Sequence, residues 1–422
     1  MRSSSLALDC GAQKRLVPIN LAFTAITQDI GPIPGSERVA LADAVGRVTS
    51  QDVATTIPLP PFDHSAVDGY GLNSADAACE PPYRLRIADR LAAGSGNRPS
   101  LGRGETLQVF TGAALPREIS AVVPEERCMR EGAMIVIPTP IQAGANIRRR
   151  GEDVGEGSVV VESGSVLDAR HIAILAATGN AQVNVKPRVR VAVLSSGSEL
   201  RSPGEALAAG SIYDSNRPML AAMLARPGIE IIDGGHFADD PEELAAAFAW
   251  LVHRADVIVT TGGAAGSETD HTQRAIVTAG GSAQTFHLAL RPGKPLVIGR
   301  IGAVPFVGLP GNPVAALVNF LLFGRAVILA RAGSKALRPT GQTATAAMAF
   351  SHNPSRTEFV PARVAGFDSH GRPRLEKLGR GGSARLRPLV LADGLAEIPA
   401  EAGDVPAGAA ITFHSFHAAF RP

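Results

Sequence analysis

The sequence predicts a multidomain α/β protein: a doubly wound α/β domain beside a small β-rich domain, an N-terminal helical or mixed segment and a C-terminal β barrel or sandwich. Its 422 residues exceed what one hydrophobic core usually serves. Between residues 190 and 330, strand-like apolar runs alternate with helix-like segments, which is typical of a parallel sheet covered by helices. Elsewhere, glycine and proline punctuate short β-like runs, which indicates smaller β domains.

The α/β region is predicted from the order of its apolar runs. We expect strands at Arg190–Leu194, Glu230–Asp233, Asp256–Thr260, Leu296–Ile298 and Ala303–Val307, and helices at Ser215–Arg226, Pro241–Arg254, Asp270–Ala279 and Pro313–Ala330. Val314–Ala330 is the most apolar long stretch, but Asn319 and Arg325 interrupt it. It is also shorter than a typical membrane span, so we interpret it as a buried helix.

The flanking regions differ from the α/β region in their patterns. Residues 16–54 have helix-compatible apolar spacing, and residues 166–182 predict another helix. From about residue 338 onward, short strands and glycines predict the C-terminal β domain. The small β domain, across residues 55–154, is predicted from the runs Tyr83–Ile87, Thr106–Phe110, Ala121–Pro124 and Met134–Ile137.

Composition excludes some classes of function. A net charge of +2 gives no general reason to expect nucleic acid or a membrane as partner, so any anion site must be local. Aromatic residues, at 5%, are too few for a base-stacking surface. Cys10, Cys79 and Cys128 are scattered, which indicates a reduced, cytoplasmic protein and not a zinc site. The first residues lack the apolar core of a signal peptide, which agrees with that location.

Unusual loops follow three of the predicted strands, at the sheet edge where α/β proteins bind ligands. They are residues 195–200, 261–272 and 308–313. Their glycines would let backbone N–H groups approach an anion. Asn312 suits a helix N-cap and Pro313 the first helical position, so that helix would point its positive end at a phosphate. One such loop alone is more often an ordinary tight turn, but three together favour a ligand site.

The segment Leu290–Pro295 adds two cations, Arg291 and Lys294, in a turn stiffened by prolines. Both cations suit oxyanions, although a solvated turn is the alternative. The segment is not a Walker loop, because Pro295 follows the lysine where Ser or Thr is needed.

Acidic residues in or near the same loops suggest a divalent cation, because carboxylates beside a phosphate would otherwise repel it. Mg²⁺ uses one or two carboxylates together with phosphate oxygens. The candidates are Glu199, Asp256 and Asp270. Asp270 suits a helix N-cap equally well. Asp256 begins its strand, at the wrong end of the sheet, which favours a surface or capping role.

Several segments along the chain resemble those of a known family. Asp63–Tyr70 (DHSAVDGY) resembles the DNSAMDGYA signature of the MoeA family, which includes the gephyrin E domain. Further matching segments occur in the same order: Thr111–Ala113, Asn146–Asp153 (NIRRRGED), Ser196–Leu200, Ile212–Asn216, Arg291–Pro295 and Gly308–Pro313. The sequence also departs from the family at four points: His64 replaces Asn, the loop after Gly263 is atypical, Arg291 replaces the commoner Lys, and Pro361 interrupts a strand that usually contains Arg.

The resemblance implies an elongated, usually dimeric four-domain subunit. Its parts would be an N-terminal linking domain (16–55 with 155–186), a small β-rich domain (56–154), a MogA-like doubly wound α/β domain (187–335) and a C-terminal β barrel (336–422). The site would lie between one subunit's α/β and C-terminal domains and the partner's small β domain.

The resemblance further implies that the protein inserts molybdate into adenylylated molybdopterin, releasing AMP, with Mg²⁺ on Glu199 and Asp270. Implied catalytic residues are Asp68, Thr111, Asp153, Glu199, Asp256 and Asp270. Implied substrate and oxyanion ligands are Arg148, Ser196, Gly262, Gly263, Arg291, Lys294, Pro310, Gly311, Asn312, Pro313, Arg356 and Ser383.

Two alternatives remain, of which the first needs only the α/β domain and the second has the whole fold. One is a MogA-type adenylyltransferase that activates molybdopterin with ATP, against which the N-terminal and C-terminal domains argue. The other is a scaffold with weakened activity, since the gephyrin E domain also serves in receptor clustering. A MogA-like protein is a possible partner under the leading hypothesis.

Overall fold

The computed structural model describes residues 16–96, 99–263, 271–379 and 384–416. The chain forms two compact units. The larger unit combines residues 1–51, 163–168 and 184–422, and the smaller combines residues 52–162 and 169–183.

A six-stranded central sheet organises the larger unit. In spatial order its strands are Ile229–Phe237, Val189–Ser196, Val257–Thr261, Val304–Leu309, Pro295–Ile301 and Gly281–His287. The first four are parallel, which confirms the predicted core of the doubly wound sheet. The last two strands pair antiparallel, which adds an antiparallel edge to the predicted parallel sheet. Only residues 302–303 join Pro295–Ile301 to Val304–Leu309, which is too short for a parallel crossover.

Helices cover both faces of this sheet because its strand residues alternate between two cores. Val189, Val191 and Val193 lie in one core, and Ala192 and Leu194 lie in the other. The first core is covered by the helices Ile19–Thr27, Asn216–Leu224, Pro313–Asn319 and Arg325–Arg331. The second is covered by Pro241–Leu251 and His271–Thr278.

The most apolar helix is buried, as expected. It runs from Pro313 to Arg331, and its sequence is long and apolar enough to span a membrane, but 83% of its most apolar window is buried inside the protein. Five of its residues, Phe320–Gly324, form a π-helical turn. Such turns occur often at functional sites.

The C-terminal part of the larger unit is a closed five-stranded barrel, as predicted. Its strands, in order around the barrel, are Thr357–Phe367, Pro373–Lys377, Gln342–Ala346, Ala410–Ser415 and Gly394–Ile398. Phe350, Leu375 and Phe413 fill its interior. A two-residue strand, Leu290–Arg291, pairs with Thr357–Glu358 and so joins the cation-bearing segment to the barrel. The helix Leu386–Leu391 lies between two barrel strands in the chain.

The smaller unit is built on a second six-stranded sheet, which confirms the predicted β-rich region. In spatial order its strands are Ile119–Pro124, Gly69–Asn73, Glu105–Val109, Tyr83–Leu91, Met134–Ile137 and Met129–Glu131. Its helices are Ser74–Ala77, Ala169–Ala177 and the 3₁₀ turn Glu125–Arg127. Short strands elsewhere in the two units are Glu37–Ala40, Val53–Ala54, His64–Ser65, Ile147–Arg148, Val159–Val161, Gln182–Val185, Leu200–Arg201 and Ile212–Tyr213.

The helical expectation for residues 16–54 was wrong for most of that stretch. Only Ile19–Thr27 and the 3₁₀ turn Leu41–Asp43 are helical. Val48 instead forms a bridge with Val166. Pro32, Pro34 and Gly35 follow the helix, and prolines end helices because they lack an N–H donor.

Candidate functional site

A cavity of about 960 Å³ opens at the carboxyl ends of the central strands. Its walls come from the loops after Val189–Ser196, Val257–Thr261 and Val304–Leu309, from the segment Arg291–Lys294 and from barrel residues. The structure therefore brings these expected site residues to one cavity: Ser196, Glu199, Gly262, Gly263, Arg291, Lys294, Pro310, Gly311, Asn312, Pro313 and Arg356.

The cationic turn, Arg291–Lys294, is held by the backbone on both sides. The N–H of Leu288 donates to the carbonyl of Lys294 at 2.7 Å, and Arg291 pairs with Glu358 across the short parallel ladder. Arg291 Nε lies 3.7 Å from Glu358 Oε1, and the two side chains are 49% and 5% exposed. At this distance the pair makes no close hydrogen bond. The guanidinium therefore keeps most of its donors available to the cavity.

Gly262 and Gly263 bring backbone close to the loop after the neighbouring strand. Both have positive φ, at 92° and 64°. A Cβ on Gly262 would collide with the Ser196 carbonyl, so a larger residue would force the two loops apart. The Ser196 hydroxyl is buried and has no hydrogen-bond partner among the described residues. It is a polar group in the cavity wall that a ligand could satisfy.

Asp214 and Asn216 form a buried polar network beneath the cavity. Asp214 accepts a hydrogen bond from Ser195 Oγ at 2.6 Å and one from the N–H of Asn216 at 3.1 Å. The Asn216 amide donates to Thr261 Oγ1 at 2.8 Å and to the Gly311 carbonyl at 2.7 Å. In the sequence these two residues belong to the matching segment Ile212–Asn216, from which no individual role could be predicted. The structure shows that they fix the turn before Pro313.

Asn312 occupies the N-cap position and Pro313 the first helical position, as expected. Across the described chain, however, the Asn312 side chain makes no capping hydrogen bond. Because it is exposed in the cavity, its amide is available to a ligand.

The acidic residues that line the cavity include one that the sequence predicted and one that it did not. Glu199 is exposed there, as predicted. Asp239 also lines the cavity, and sequence reasoning interpreted it only as a residue leading a helix. The signal was available in the pair Asp239–Asp240: Asp240 caps the helix by accepting from the N–H groups of Glu242 and Glu243, which leaves Asp239 for another role.

Asp256 does not reach the cavity, which corrects its assignment as a catalytic residue. It precedes the strand Val257–Thr261 and lies at the opposite edge of the sheet. There its carboxylate accepts from Arg190 Nη2 at 2.9 Å, from Arg190 Nε at 3.1 Å and from the Arg190 backbone N–H at 2.9 Å. The hydrogen bonding to this carboxylate raises the pKa of Arg190. Asp256 therefore has a structural role.

A second group of expected residues lies in the smaller unit. Asp68 Oδ1 accepts from both the N–H and the hydroxyl of Thr111, each at 2.7 Å. These hydrogen bonds, the backbone one first, hold the pKa of the Asp68 carboxyl below its ordinary value. Asp153 is exposed, and Arg148 forms an ion pair with Glu152 at 2.8 Å.

The remaining expected residues, Asp270 and Ser383, lie outside the described residues. Over the described ranges, no cluster of three or more His, Cys, Asp and Glu side chains could hold a metal ion. Glu199 alone still fits Mg²⁺, which takes one or two carboxylates and completes its shell with water and phosphate oxygens. Arg385, which the sequence did not suggest, lines the cavity on the barrel side with Arg356.

Comparison with known families divides the chain into three matches. Residues 17–179 match the MoeA N-terminal region (domain I and II), residues 192–330 a probable molybdopterin binding domain, and residues 343–416 the MoeA C-terminal region (domain IV).

The chain matches relatives of similar length along nearly all of its sequence. The chain is 32% identical to a molybdopterin molybdenumtransferase of Haemophilus influenzae, over 90% of this chain and 94% of that protein. It is 33% identical to molybdopterin molybdenumtransferase 2 of Mycobacterium tuberculosis, over 88% and 92%. A molybdopterin biosynthesis MoeA protein from Pyrococcus horikosii superposes with a TM-score of 0.72 at 30% identity, covering 97% of this chain and all of that one. The chain therefore belongs to the MoeA family of molybdopterin molybdenumtransferases, which are transferases of molybdenum cofactor biosynthesis.

Proposed function

We propose that this protein inserts molybdate into adenylylated molybdopterin and releases AMP, with the help of Mg²⁺. The observation that carries the proposal is the cavity in which the cationic turn faces the Gly-rich loops and the Pro310–Pro313 turn. That arrangement suits a substrate with several oxyanion groups, because two cations and glycine-rich loops line one space.

The side chains that line the cavity can bind oxyanions in different ways. Arg291 can hold a tetrahedral oxyanion with a planar fork, and Lys294 can hold one as a point charge. Asn312 and Gly311 line the same cavity. Together they would place molybdate next to the phosphoanhydride that is cleaved when AMP leaves.

Mg²⁺ would be held by Glu199 and phosphate oxygens, with Asp239 close by in the cavity wall. When bound, it would neutralise charge on the phosphoanhydride and stabilise the departing phosphate. Glu199 would orient the ion, and the surrounding loops would limit the access of water.

The pterin dithiolene supplies the sulfur ligands of molybdenum, so the reaction needs no protein thiol. The described cysteines, Cys79 and Cys128, lie in the smaller unit.

We also propose that the protein is a cytoplasmic homodimer in which Asp68, Thr111 and Asp153 serve the reaction from the partner subunit. Support comes from the Asp68–Thr111 pair, in which two hydrogen bonds to one oxygen hold an exposed carboxylate in a fixed orientation. Asp68 and Asp153 are exposed, as residues that meet a second subunit must be. Sedimentation velocity of the purified protein tests this part, and a monomer at micromolar concentration would refute it.

The test of the reaction supplies purified protein with adenylylated molybdopterin, molybdate and Mg²⁺, and measures AMP and active molybdenum cofactor. We expect AMP release that depends on Mg²⁺. A parallel reaction with free molybdopterin and ATP separates the alternatives: ATP consumption there would indicate an adenylyltransferase. No AMP release from the adenylylated substrate would rule out the proposed reaction and favour a scaffold.

A further inference from the structure

Asn319 is a fully buried amide directly behind the cationic turn. It is 0% exposed and ends the first segment of the helix that begins at Pro313. Its neighbours in the core are apolar, among them Val318 and Phe320. A buried amide in such surroundings is costly unless its hydrogen bonds are made, so its presence calls for a physical reason.

The Asn319 side chain binds the turn and the helix at once. Its Nδ2 donates to the Gly293 carbonyl at 3.1 Å and to the Ala315 carbonyl at 2.9 Å. Gly293 lies between the two cations of the turn in sequence, one residue before Lys294. Asn319 therefore links the cationic turn to the helix that carries the Pro310–Pro313 turn at its start.

The backbone conformation of the turn leaves room for the Asn319 amide. Gly293 has a φ of 108°, a conformation that residues with a Cβ rarely adopt. A Cβ at that position would collide with Asn319 Nδ2. Gly293 has no Cβ, and the Asn319 amide group occupies the space that a Cβ would take.

Two further observations separate this contact from ordinary core packing. The Asn319 Oδ1 atom is buried and, within the part of the chain that the structure describes, has no hydrogen-bond partner. A side chain selected only for packing would not leave a buried acceptor unsatisfied. In addition, the helix changes to its π-helical turn immediately after Asn319, at Phe320–Gly324, where the regular hydrogen-bond ladder shifts.

We propose that Asn319 is a positioning residue that sets the affinity of the cationic turn for tetrahedral oxyanions. It acts through Gly293, whose carbonyl it holds, and so fixes where Arg291 and Lys294 present their charges. The inference rests on the proposed function, because the oxyanion in that reaction is molybdate. It predicts a loss of oxyanion affinity from a residue that lines no part of the cavity.

The test compares Asn319→Leu, which keeps the branched shape of the side chain and removes the donor, with Val318→Ala, a matched core variant on the same helix. Isothermal titration with molybdate and with inorganic phosphate gives the dissociation constants, and the insertion assay gives KM for molybdate and kcat. We expect Asn319→Leu to raise both dissociation constants and KM about tenfold, the value of one hydrogen bond, with kcat changed less than about twofold. Val318→Ala should lower the melting temperature and leave binding unchanged.

A double-mutant cycle distinguishes positioning from general destabilisation. If Asn319 acts through the turn, Asn319→Leu should weaken molybdate binding much less in a Lys294→Ala background than in the wild type. Additive effects of the two substitutions would overturn the proposal. If Asn319→Leu does not fold, Asn319→Ser replaces it, since a serine hydroxyl can reach the Ala315 carbonyl of its own helix but not Gly293. If neither variant folds while Val318→Ala does, Asn319 serves the core and the proposal is refuted.

The same measurements keep this inference apart from the proposed reaction. A wild-type protein that neither binds molybdate nor releases AMP would refute the proposed function. A wild-type protein that does both, with Asn319→Leu indistinguishable from it, would refute only the role of Asn319.

Discussion

Asn216 offers a quantitative test of how the site is built. Its buried amide donates two hydrogen bonds, to Thr261 Oγ1 and to the Gly311 carbonyl, and only 7% of the residue is exposed. Replacing it with alanine removes both bonds and leaves the Gly311 carbonyl without its donor. Each bond contributes about 0.5–1.5 kcal/mol net, so we expect the free energy of unfolding of the larger unit to fall by roughly 1–3 kcal/mol.

The matched control is Asn312→Ala, in the same turn. An N-cap asparagine normally stabilises its helix by about 1 kcal/mol, but in the described structure Asn312 makes no capping hydrogen bond with its side chain. We therefore expect this variant to change stability by less than about 0.5 kcal/mol and to weaken molybdate binding.

Urea denaturation and molybdate titration measure the two effects on the same samples. We expect a large loss of stability for Asn216→Ala and a small one for Asn312→Ala, with reduced oxyanion affinity in both. Equal losses of stability would refute it, because they would mean that Asn312 caps the helix in solution or that the Asn216 network contributes nothing.

Three further predictions follow from individual side chains. Asp256→Ala should lower the free energy of unfolding by about 1 kcal/mol, a value kept small because its arginine partner is 44% exposed, and should leave turnover unchanged in the AMP assay. The hydrogen bonds to Asp68 lower the pKa of its carboxyl in the folded protein. Their contribution to the stability of the fold is therefore present above the ordinary pKa of 3.8 and is lost as the pH falls through the folded pKa. NMR titration should show that Thr111→Ala moves this pKa back up towards 3.8, and an unchanged pKa would contradict the assignment. Burial raises the pKa of Cys128 to about 11, so at pH 8 mass spectrometry should find iodoacetamide on the exposed Cys79 well before Cys128; faster labelling of Cys128 would contradict this burial.

Much of the α/β fold could be predicted because it depends on local patterns. The strand Val189–Ser196 is buried along its length except at Arg190 and has the apolar run Val191–Leu194 at its centre, as expected of a strand buried on both faces. The strand Gly281–His287 was missed because it is an edge strand with a polar sequence. The antiparallel pairing of its neighbour Pro295–Ile301 could have been foreseen from the short connection to the next strand.

The site residues divide in the same way. Glycines, prolines and cations in the loops indicate an anion site by their chemistry, and Arg291 and Lys294 do line the cavity. Asn216 and Asn319 could not be assigned roles, because their hydrogen bonds reach residues 95 and 26 positions away in the chain. Asp256 shows the reverse case: its place at the start of a strand already argued against the role that the resemblance suggested.

The four-domain division and the completion of the site by a second subunit stay predictions. The central claim is that the cavity beside the cationic turn couples molybdate insertion to AMP release. The most direct measurement is a single-turnover reaction that counts AMP released and molybdenum bound to the pterin, in the wild type and in Lys294→Ala and Asp256→Ala variants. We expect one AMP for each molybdenum in the wild type and in Asp256→Ala, and strongly reduced yields of both in Lys294→Ala. Full yields in Lys294→Ala, or AMP release that does not depend on molybdate, would contradict it.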